Sequence, residues 1–205
     1  RSGSFGSAKQ MKGEVGVEIS ALLAFAAINS NDRVGLLIFT DVVEVFVPPE
    51  KGRKHVLRVI RELLYFEPKS VRTDLSGALD HLETVLHRRS IVFLISDFID
   101  REFSRAIQQV RRRHDLIAVS LSDPRERELP DVGLINLEDA ETGEQIIIDT
   151  KVLDVREAFM EMQRKAEEDL SKLFRRLDVD HVAIDVTKSY VEPLVGLFNA
   201  RARRR

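Results

Sequence analysis

Short unbroken apolar runs alternate along the chain with longer segments in which apolar residues recur every three or four positions. Such a run is typical of a strand buried on both faces of a parallel sheet, whereas the longer spacing is typical of a helix with one apolar face. The predicted strands lie at 34–39, 91–95, 116–121 and 182–186, and the predicted helices at 11–26, 56–64, 75–86, 103–110, 152–177 and 190–198. This order predicts an α/β fold in one domain, residues 1–205, with a Rossmann-like, doubly wound and mostly parallel sheet.

Two further segments predict antiparallel pairing. Residues 42–47 follow a strand after only a short turn and are closed by Pro48 and Pro49, which is typical of an antiparallel edge strand. Residues 134–137 and 146–148 flank a glycine-containing turn at 141–144, which predicts a hairpin.

The chain opens in an unusual way for this class of fold. A doubly wound sheet normally begins with a central strand, but the first dozen residues are small, polar and glycine-containing, and they predict a loop that presents hydroxyl and N–H groups. We therefore expect the first strand to lie upstream of Arg1. Because a central strand has neighbours on both sides, its absence would leave two unpaired edges, and we expect upstream residues or a neighbouring chain to fill that slot.

The composition narrows the possible functions. The chain has no cysteine, which excludes disulfides, cysteine zinc sites and thiol catalysis, and its formal net charge of −2 gives no general attraction to nucleic acid or anionic lipid. The arginine-rich segment 201–205 is interpreted as a solvated helix end, in preference to a juxtamembrane or nucleic-acid contact. With no signal peptide and no apolar run approaching about 18 residues, we expect a cytoplasmic location, any membrane anchor lying outside these residues.

Two loops carry the candidate chemistry. Asp97 directly follows the strand at 91–95, and ligands of open α/β sheets bind at the carboxyl ends of the strands. Thr73 and Asp74 precede the helix at 75–86, so their loop should lie along the same sheet edge. In both places ordinary helix capping by Ser96, Asp97, Thr73 or Asp74 is the alternative interpretation, and at Asp97 the two interpretations carry equal weight.

Three segments together resemble a known family. A Ser-rich loop before the first helix, Thr73 and Asp97 resemble the metal-ion-dependent adhesion site of von Willebrand factor A domains. More closely, FGSAKQMK, RTDLSGALD and RRSIVFLISDFID, in that order, resemble the bacterial DUF58 family, and the resemblance covers nearly the whole chain. It implies a von Willebrand factor A-like fold with a Mg²⁺ site, for which Mn²⁺ and Ca²⁺ are alternatives.

The resemblance also implies the ligands of that site. It assigns Ser2, Thr73 and Asp97 as metal ligands, with Ser4, Asp74 and Asp100 as alternative ligands or supporting acceptors. The leading Asp of the motif would lie before Arg1, so the chain departs from the family pattern there. Hydroxyl and carboxylate oxygens are the ligands that Mg²⁺ prefers, and neutral hydroxyl ligands leave the ion able to accept a carboxylate from a partner.

The function implied by the resemblance is a non-enzymatic protein-binding module that docks an acidic residue of a partner, working with a MoxR-type AAA+ ATPase. Nucleic acid is not expected as a partner. Two alternatives stay open: a metal-free structural or oligomerising module with a degenerate site, and a Mg²⁺-dependent phosphohydrolase that uses Asp97. The phosphohydrolase is the less favoured because the sequence has no Gly-x-Ser-x-Gly elbow, no Walker loop and no ligand-spaced histidine pair.

Overall fold

The computed structural model describes residues 3–70, 72–99, 103–138 and 145–204, and of residues 3–10, 137, 138 and 146 only the backbone. Within these ranges the helices are α1 (Gly3–Asn29), α2 (Arg53–Leu64), α3 (Leu75–Val85), α4 (Ser104–Arg113), α5 (Leu153–Arg176) and α6 (Val191–Ala202). The strands are β1 (Val34–Phe39), β2 (Val43–Glu50), β3 (Ile91–Ser96), β4 (Asp115–Ser122), β5 (Leu134–Glu138), β6 (Gln145–Asp149) and β7 (Asp180–Asp185). The chain is therefore a mixed α/β protein, as predicted.

The centre of the fold is a parallel sheet of β3, β4 and β7, with β4 in the middle. Ile91 of β3 lies opposite Asp115 of β4, and Ile117 of β4 lies opposite Asp180 of β7. All six residues at 116–121 are buried, which is the expected consequence of an apolar run with strands on both sides and helices on both faces. The strands predicted from the apolar runs are confirmed.

β1 and β2 form an antiparallel pair, which confirms the predicted reversal after β1. The prediction that the second strand ends at Pro48 is wrong, because β2 continues through Pro48 and Pro49 to Glu50. The ladder shifts register between the pairs Leu36 with Val47 and Val34 with Glu50. A proline removes a backbone donor, and an irregular outer strand accommodates that loss where a central strand would not.

The sheet layer is in two pieces. Within the described residues, β1 pairs with β2 alone, and β3 pairs with β4 but not with β1. The third sheet is the β5–β6 hairpin, which confirms the hairpin prediction, although its turn at 141–144 lies outside the described residues.

Helix α1 begins much earlier than predicted. The expected loop over the first dozen residues is wrong from Gly3 onward, because α1 runs without interruption from Gly3 to Asn29. Helix formation is cooperative, so a long helix anchored by buried residues such as Val15 and Ile19 extends through a glycine- and serine-containing segment that would not form a helix alone.

Two apolar layers enclose the parallel sheet. On one face α3, α4 and α5 contribute Leu79, Ile107 and Phe174 to a core with Leu94 and Ala118. On the other face α1 and α6 contribute Ile19 and Leu194 to a core with Ile117 and Ile184. A smaller cluster joins α1 to α2 and β1 through Ala24, Val56, Ile60 and Val34.

Two of the C-terminal arginines form ion pairs, whereas the sequence predicted a solvated helix end. Arg201 forms ion pairs with Asp115 and Asp180, and Arg204 lies 2.7 Å from Asp180. These contacts tie α6 to the first residues of β4 and β7, which corrects the interpretation of this segment. Across the described part of the chain, no helix is both long and apolar enough to cross a membrane.

Candidate functional site

The carboxyl ends of the parallel strands β3 and β4 lie at one edge of their sheet, and the loop that precedes α3 lies at the carboxyl end of β1. The Asp74 N–H donates to the carbonyl of Thr40, which directly follows β1, at 2.9 Å. Beside it, a hydrogen bond from Ser70 lowers the pKa of the Asp41 carboxyl. This hydrogen bond fixes the α3 loop at the end of β1, and its predicted position beside the Asp97 loop stays a prediction.

Asp97 is presented to solvent by a strained and buried neighbour. Phe98 has a φ of 54°, a left-handed conformation that is rare for an aromatic residue. Its ring is buried against Phe103 and Phe174, with centroid distances of 5.4 and 5.1 Å, and its N–H donates to Ser96 Oγ at 3.1 Å. The chain thus turns sharply after β3, and the Asp97 side chain remains 38% exposed.

A lysine that sequence reasoning missed lies against Asp97. Lys12 Nζ is 2.8 Å from Glu126 Oε2 and 3.4 Å from Asp97 Oδ2, and its side chain is only 10% exposed. Lys12 comes from the amino-terminal half of α1, so this contact places that part of the helix at the carboxyl ends of β3 and β4. The ammonium group partly neutralises two carboxylates at this edge.

The loop after β4 adds a second charged pair. Asp123 is fully buried, and the hydrogen bonds from the Arg125 guanidinium lower the pKa of its carboxyl. The Arg125 backbone N–H donates to the same carboxylate at 2.9 Å. The sequence analysis did not assign Asp123, Arg125 or Glu126 to the site.

Of the predicted site residues, the structure describes Thr73, Asp74 and Asp97 fully. Asp74 is the N-cap of α3 and accepts a hydrogen bond from the Gly77 N–H at 2.8 Å, so the capping interpretation is confirmed for it. Thr73 is exposed, and within the described residues its hydroxyl has no hydrogen-bond partner and does not bond to Asp97.

The remaining predicted residues are only partly visible. Ser2 and Asp100 lie outside the described residues, and Ser4 is in α1 with only its backbone described. Within the described ranges, no three Asp, Glu, His or Cys side chains are arranged to hold a metal ion by themselves. The donor chemistry of Thr73 and Asp97 is nevertheless oxygen only, which suits Mg²⁺ better than a transition metal.

Comparison with known proteins finds a matching family model and related proteins. The family model described as "Protein of unknown function DUF58" matches residues 1–169. "Uncharacterized protein Mb1516" of Mycobacterium bovis is 28% identical over 204 residues, which are 97% of this chain and 63% of that protein. "Uncharacterized protein MAV169" of Mycobacterium avium is 28% identical over 162 residues, 77% of this chain and 94% of that protein. The chain thus spans somewhat less than two thirds of the Mycobacterium bovis relative.

Two solved structures share the fold. A conserved hypothetical protein, BatB from Bacteroides thetaiotaomicron, superposes with a TM-score of 0.55 at 13% identity, covering 91% of this chain and 87% of that one. An aerotolerance-related membrane protein from Bacteroides fragilis superposes with a TM-score of 0.51 at 14% identity, covering 82% and 81%. At these identities the likeness concerns the fold alone. The match over residues 1–169 is decisive for the family, and the chain belongs to the DUF58 family.

Proposed function

We propose that this protein is a non-enzymatic, von Willebrand factor A-like binding module that docks a partner protein through a Mg²⁺ ion at the edge occupied by Thr73 and Asp97. Ser2, or Ser4 in the alternative register, would supply a further hydroxyl. The ion would supply an open coordination position for an acidic side chain of the partner, and the residues of this chain would hold and orient it.

The observation that carries the proposal is the exposed carboxylate of Asp97 at the carboxyl edge of the parallel sheet. The ring of the next residue, Phe98, packs against Phe103 and Phe174 in the core, so a buried neighbour sets the direction of the Asp97 side chain. Thr73 precedes α3 in the loop that is hydrogen-bonded to the end of β1, and its hydroxyl is exposed without a partner among the described residues.

The position of Lys12 is compatible with metal binding at Asp97. At 2.8 Å its ammonium makes a close ion pair with Glu126, whereas 3.4 Å from Asp97 is near the limit of a hydrogen bond. Asp97 therefore keeps lone pairs that face solvent. Lys12 also keeps the edge from carrying several uncompensated negative charges before the ion arrives.

The partner class is proposed from what the resemblance to DUF58 implies. We propose a MoxR-type AAA+ ATPase as the partner, which would present an acidic residue to the ion, in the cytoplasm and with any membrane anchor supplied by other segments. No nucleic acid contact is proposed, because the strongest basic segment is tied to Asp115 and Asp180.

The first test is calorimetric titration of MgCl₂, MnCl₂ and CaCl₂ into the full-length protein, its Asp97→Ala variant and its Asp32→Ala variant. Asp32 is the matched control, since it is an exposed aspartate just before β1, at the opposite end of the strands. We expect binding of one ion that Asp97→Ala abolishes and Asp32→Ala preserves. Capture of the purified ATPase should then require Mg²⁺ and be reversed by EDTA.

Either of two results would contradict the proposal. Absence of metal binding to the folded protein would favour the metal-free interaction module, in which Lys12 alone neutralises Asp97 and Glu126. Mg²⁺-dependent release of phosphate from p-nitrophenyl phosphate, lost in Asp97→Ala, would instead favour the phosphohydrolase.

A further inference from the structure

The amino edge of the parallel sheet is surrounded by the ends of four helices. Because β3, β4 and β7 run in the same direction, the segments that lead into them from α3, α4 and α5 lie together where these strands begin. The end of α6 reaches the same edge through the ion pairs of Arg201 with Asp115 and Asp180. This edge is opposite the one that carries Asp97.

Contacts between side chains hold these helix ends next to one another. On one side of α4, Arg113 Nη1 lies 2.8 Å from Glu83 Oε2 near the end of α3. On the other side, Arg111 Nε donates to the Asp178 carbonyl, in the turn between α5 and β7, at 2.6 Å. The arginines at the ends of these helices therefore belong to one surface.

Much of the positive charge on this surface has no carboxylate partner. The carboxylates of the edge are already paired with other arginines, namely Glu83 with Arg113, Asp178 with Arg111, Asp115 with Arg201, and Asp180 with Arg201 and Arg204. Six further arginines are exposed and form no ion pair with another described residue: Arg88, Arg89, Arg112, Arg175, Arg176 and Arg203.

The helix dipoles account for only part of this charge. Each helix C-terminus carries about half a negative elementary charge, which a basic side chain in the last turn complements. Arg111 and Arg113 at the end of α4 and Arg201 at the end of α6 already fill that role. The unpaired guanidinium groups exceed what four helix ends need, so they are available to an anionic partner.

Positive and negative charge are separated along the strands. The formal net charge is −2, yet the amino edge is positive, while the carboxylates Asp97, Asp123 and Glu126 follow the carboxyl ends of β3 and β4. Strands β3 and β7 have six residues each, which is a length of about 20 Å. Because the Debye length is about 8 Å at physiological ionic strength, an anion at the amino edge meets the arginines and is hardly repelled by the distant carboxylates.

The arrangement of the arginines favours an extended anionic layer over one small anion. A hollow of about 260 Å³ beside α4 is lined by Asp80 and Glu83 as well as by Arg112 and Arg113, and its two carboxylates would repel a single anion. The unpaired guanidinium groups come from four separate segments and are exposed. They therefore match negative charge that is spread over a surface.

Nucleic acid fits this surface less well than lipid. The segments 86–90, 111–114, 175–180 and 201–204 contain no Phe, Tyr or Trp on which unpaired bases could stack. Lipid headgroups offer phosphates without bases, and lateral diffusion lets them gather beneath guanidinium groups whose spacing fits no fixed ligand.

We propose that the amino edge of the parallel sheet, through these six unpaired arginines, binds the surface of an anionic phospholipid bilayer. The contact is peripheral: guanidinium groups donate to lipid phosphates, and no helix enters the hydrocarbon layer. In this orientation Asp97 faces away from the lipid, toward the water in which a protein partner would approach. This inference does not rest on metal binding.

Co-sedimentation with lipid vesicles tests the proposal. The purified protein is mixed with vesicles of phosphatidylcholine, or of phosphatidylcholine and phosphatidylglycerol in equal amounts. We expect binding to the anionic vesicles only, and its loss when salt is raised from about 0.1 M to about 1 M, because the Debye length falls from about 10 to 3 Å. Asp97→Ala should bind these vesicles as the unchanged protein does, so this result is independent of the metal site.

Charge reversal locates the surface. The triple variant Arg88→Glu, Arg112→Glu, Arg176→Glu should bind anionic vesicles at least about a hundredfold more weakly, since each basic residue near a bilayer contributes about fivefold. The matched control is Lys69→Glu, Lys151→Glu, Lys188→Glu, which makes the same change in net charge at exposed positions outside the amino edge. The control should stay within a few-fold of the unchanged protein.

A lysine variant keeps the test decisive if charge reversal disturbs folding, which urea unfolding of each variant checks. Arg88→Lys, Arg112→Lys, Arg176→Lys preserves the charge and loses the guanidinium fork, so it should bind nearly as the unchanged protein does. Loss of binding in the lysine variant would indicate a shaped site for one anion and would overturn the proposal. The proposal also fails if the folded protein does not sediment with anionic vesicles, if the two glutamate variants lose binding equally, or if a DNA duplex binds more tightly at equal phosphate concentration.

Discussion

Phe98 shows how a single strained residue positions the candidate site. A positive φ costs a residue with a Cβ roughly 1 kcal/mol or more, and here the burial of an aromatic ring against Phe103 and Phe174 offsets that cost. The backbone after β3 is therefore held in a turn that a solvent-exposed residue would not maintain. Asp97 takes its direction from this turn, so packing energy in the core fixes the orientation of a surface carboxylate.

Truncating Phe98 should separate packing from backbone strain. Phe98→Ala should lower the free energy of unfolding by about 3–5 kcal/mol, as expected for a buried aromatic residue. Phe98→Gly should be more stable than Phe98→Ala by about 1 kcal/mol, the reverse of the usual order, because glycine accepts a positive φ without strain. Urea unfolding measures both, with the half-exposed Phe25→Ala as a control that should lose much less. Equal or inverted stabilities of the two Phe98 variants would contradict the strained turn.

His181 makes a prediction about pH. Burial lowers its pKa to about 4, and its ring lies 4.7 Å from Phe174 while Nε2 is 2.8 Å from Ser120 Oγ. Since the unfolded chain binds this proton near pH 6.5 and the folded chain does not, the stabilising contribution is complete above pH 6.5 and is lost as pH falls toward 4.

The magnitude of this loss should be on the order of 2 kcal/mol, after allowance for the partial exposure of the imidazole. Urea unfolding at several values between pH 7 and pH 4 measures it, and His181→Gln is the reference because it can bond to Ser120 without titrating. As the pH falls from 7 to 4, the wild-type protein should steadily lose stability relative to His181→Gln. A difference that does not change with pH would contradict the assignment.

Residue chemistry of this kind was only partly predictable from the sequence. Asp97 could be identified because it directly follows a buried strand, and ligands of open α/β sheets bind at the carboxyl ends of the strands. Lys12 could not, because its partners lie 85 and 114 residues away and a lysine on a helix normally indicates a solvated face. Phe98 was also missed, since nothing in a local sequence pattern signals a left-handed backbone at an aromatic residue.

At the scale of elements, local patterns predicted what each segment forms and failed at two boundaries. The strands were predictable because apolar runs of this length have few alternatives between turns. The start of α1 was not, because glycine and serine favour loops locally while cooperative extension of a well-anchored helix overrides them. Pro48 and Pro49 predict the end of β2 locally, but an outer strand tolerates them.

The glycines of α1 test its packing as an element. Gly13 would place a Cβ with nothing within 4 Å, while at Gly16 a Cβ would already be in van der Waals contact with Leu121 and Ile95. Gly13→Ala should raise the free energy of unfolding by up to about 1 kcal/mol through helix propensity. Gly16→Leu should lower it by about 1–3 kcal/mol through overpacking, whereas Gly13→Leu should not. Thermal unfolding followed by circular dichroism distinguishes these cases. Equal effects of Gly13→Leu and Gly16→Leu would show that α1 does not pack closely on β3 and β4.

At the scale of the whole molecule, the order of the elements was predictable but the division of the sheet was visible only in part. Periodicity shows that a segment is a strand and does not show which strands pair. Within the described residues, β1 pairs with β2 alone and β3 with β4 alone, a division that the apolar runs by themselves do not predict. The independence of the β5–β6 hairpin from both other sheets was not predictable, because the hairpin signal is local and says nothing about what its strands pack against.

The base of that hairpin is closed by one buried threonine. Thr150 is fully buried, and its hydroxyl donates to the Gly133 carbonyl at 2.7 Å and accepts the Val132 N–H at 3.1 Å. Beyond this closure the hairpin exposes large apolar side chains, with Leu134 at 73% and Ile147 at 71%. Few of its contacts therefore contribute to the main core, and we expect it to be dispensable for folding.

Removing the hairpin beyond its closure should leave the rest of the protein folded. Leu134 and Asp149 are paired across the two strands, so residues 135–148 can be replaced by an Asn-Gly turn that joins them without moving the backbone. The free energy of unfolding should change by less than about 1 kcal/mol, whereas Thr150→Val in the intact chain should cost about 1–3 kcal/mol by leaving buried polar groups unpaired. Urea unfolding of both variants decides the matter. A deletion that abolishes cooperative unfolding would mean that the hairpin supports the main core.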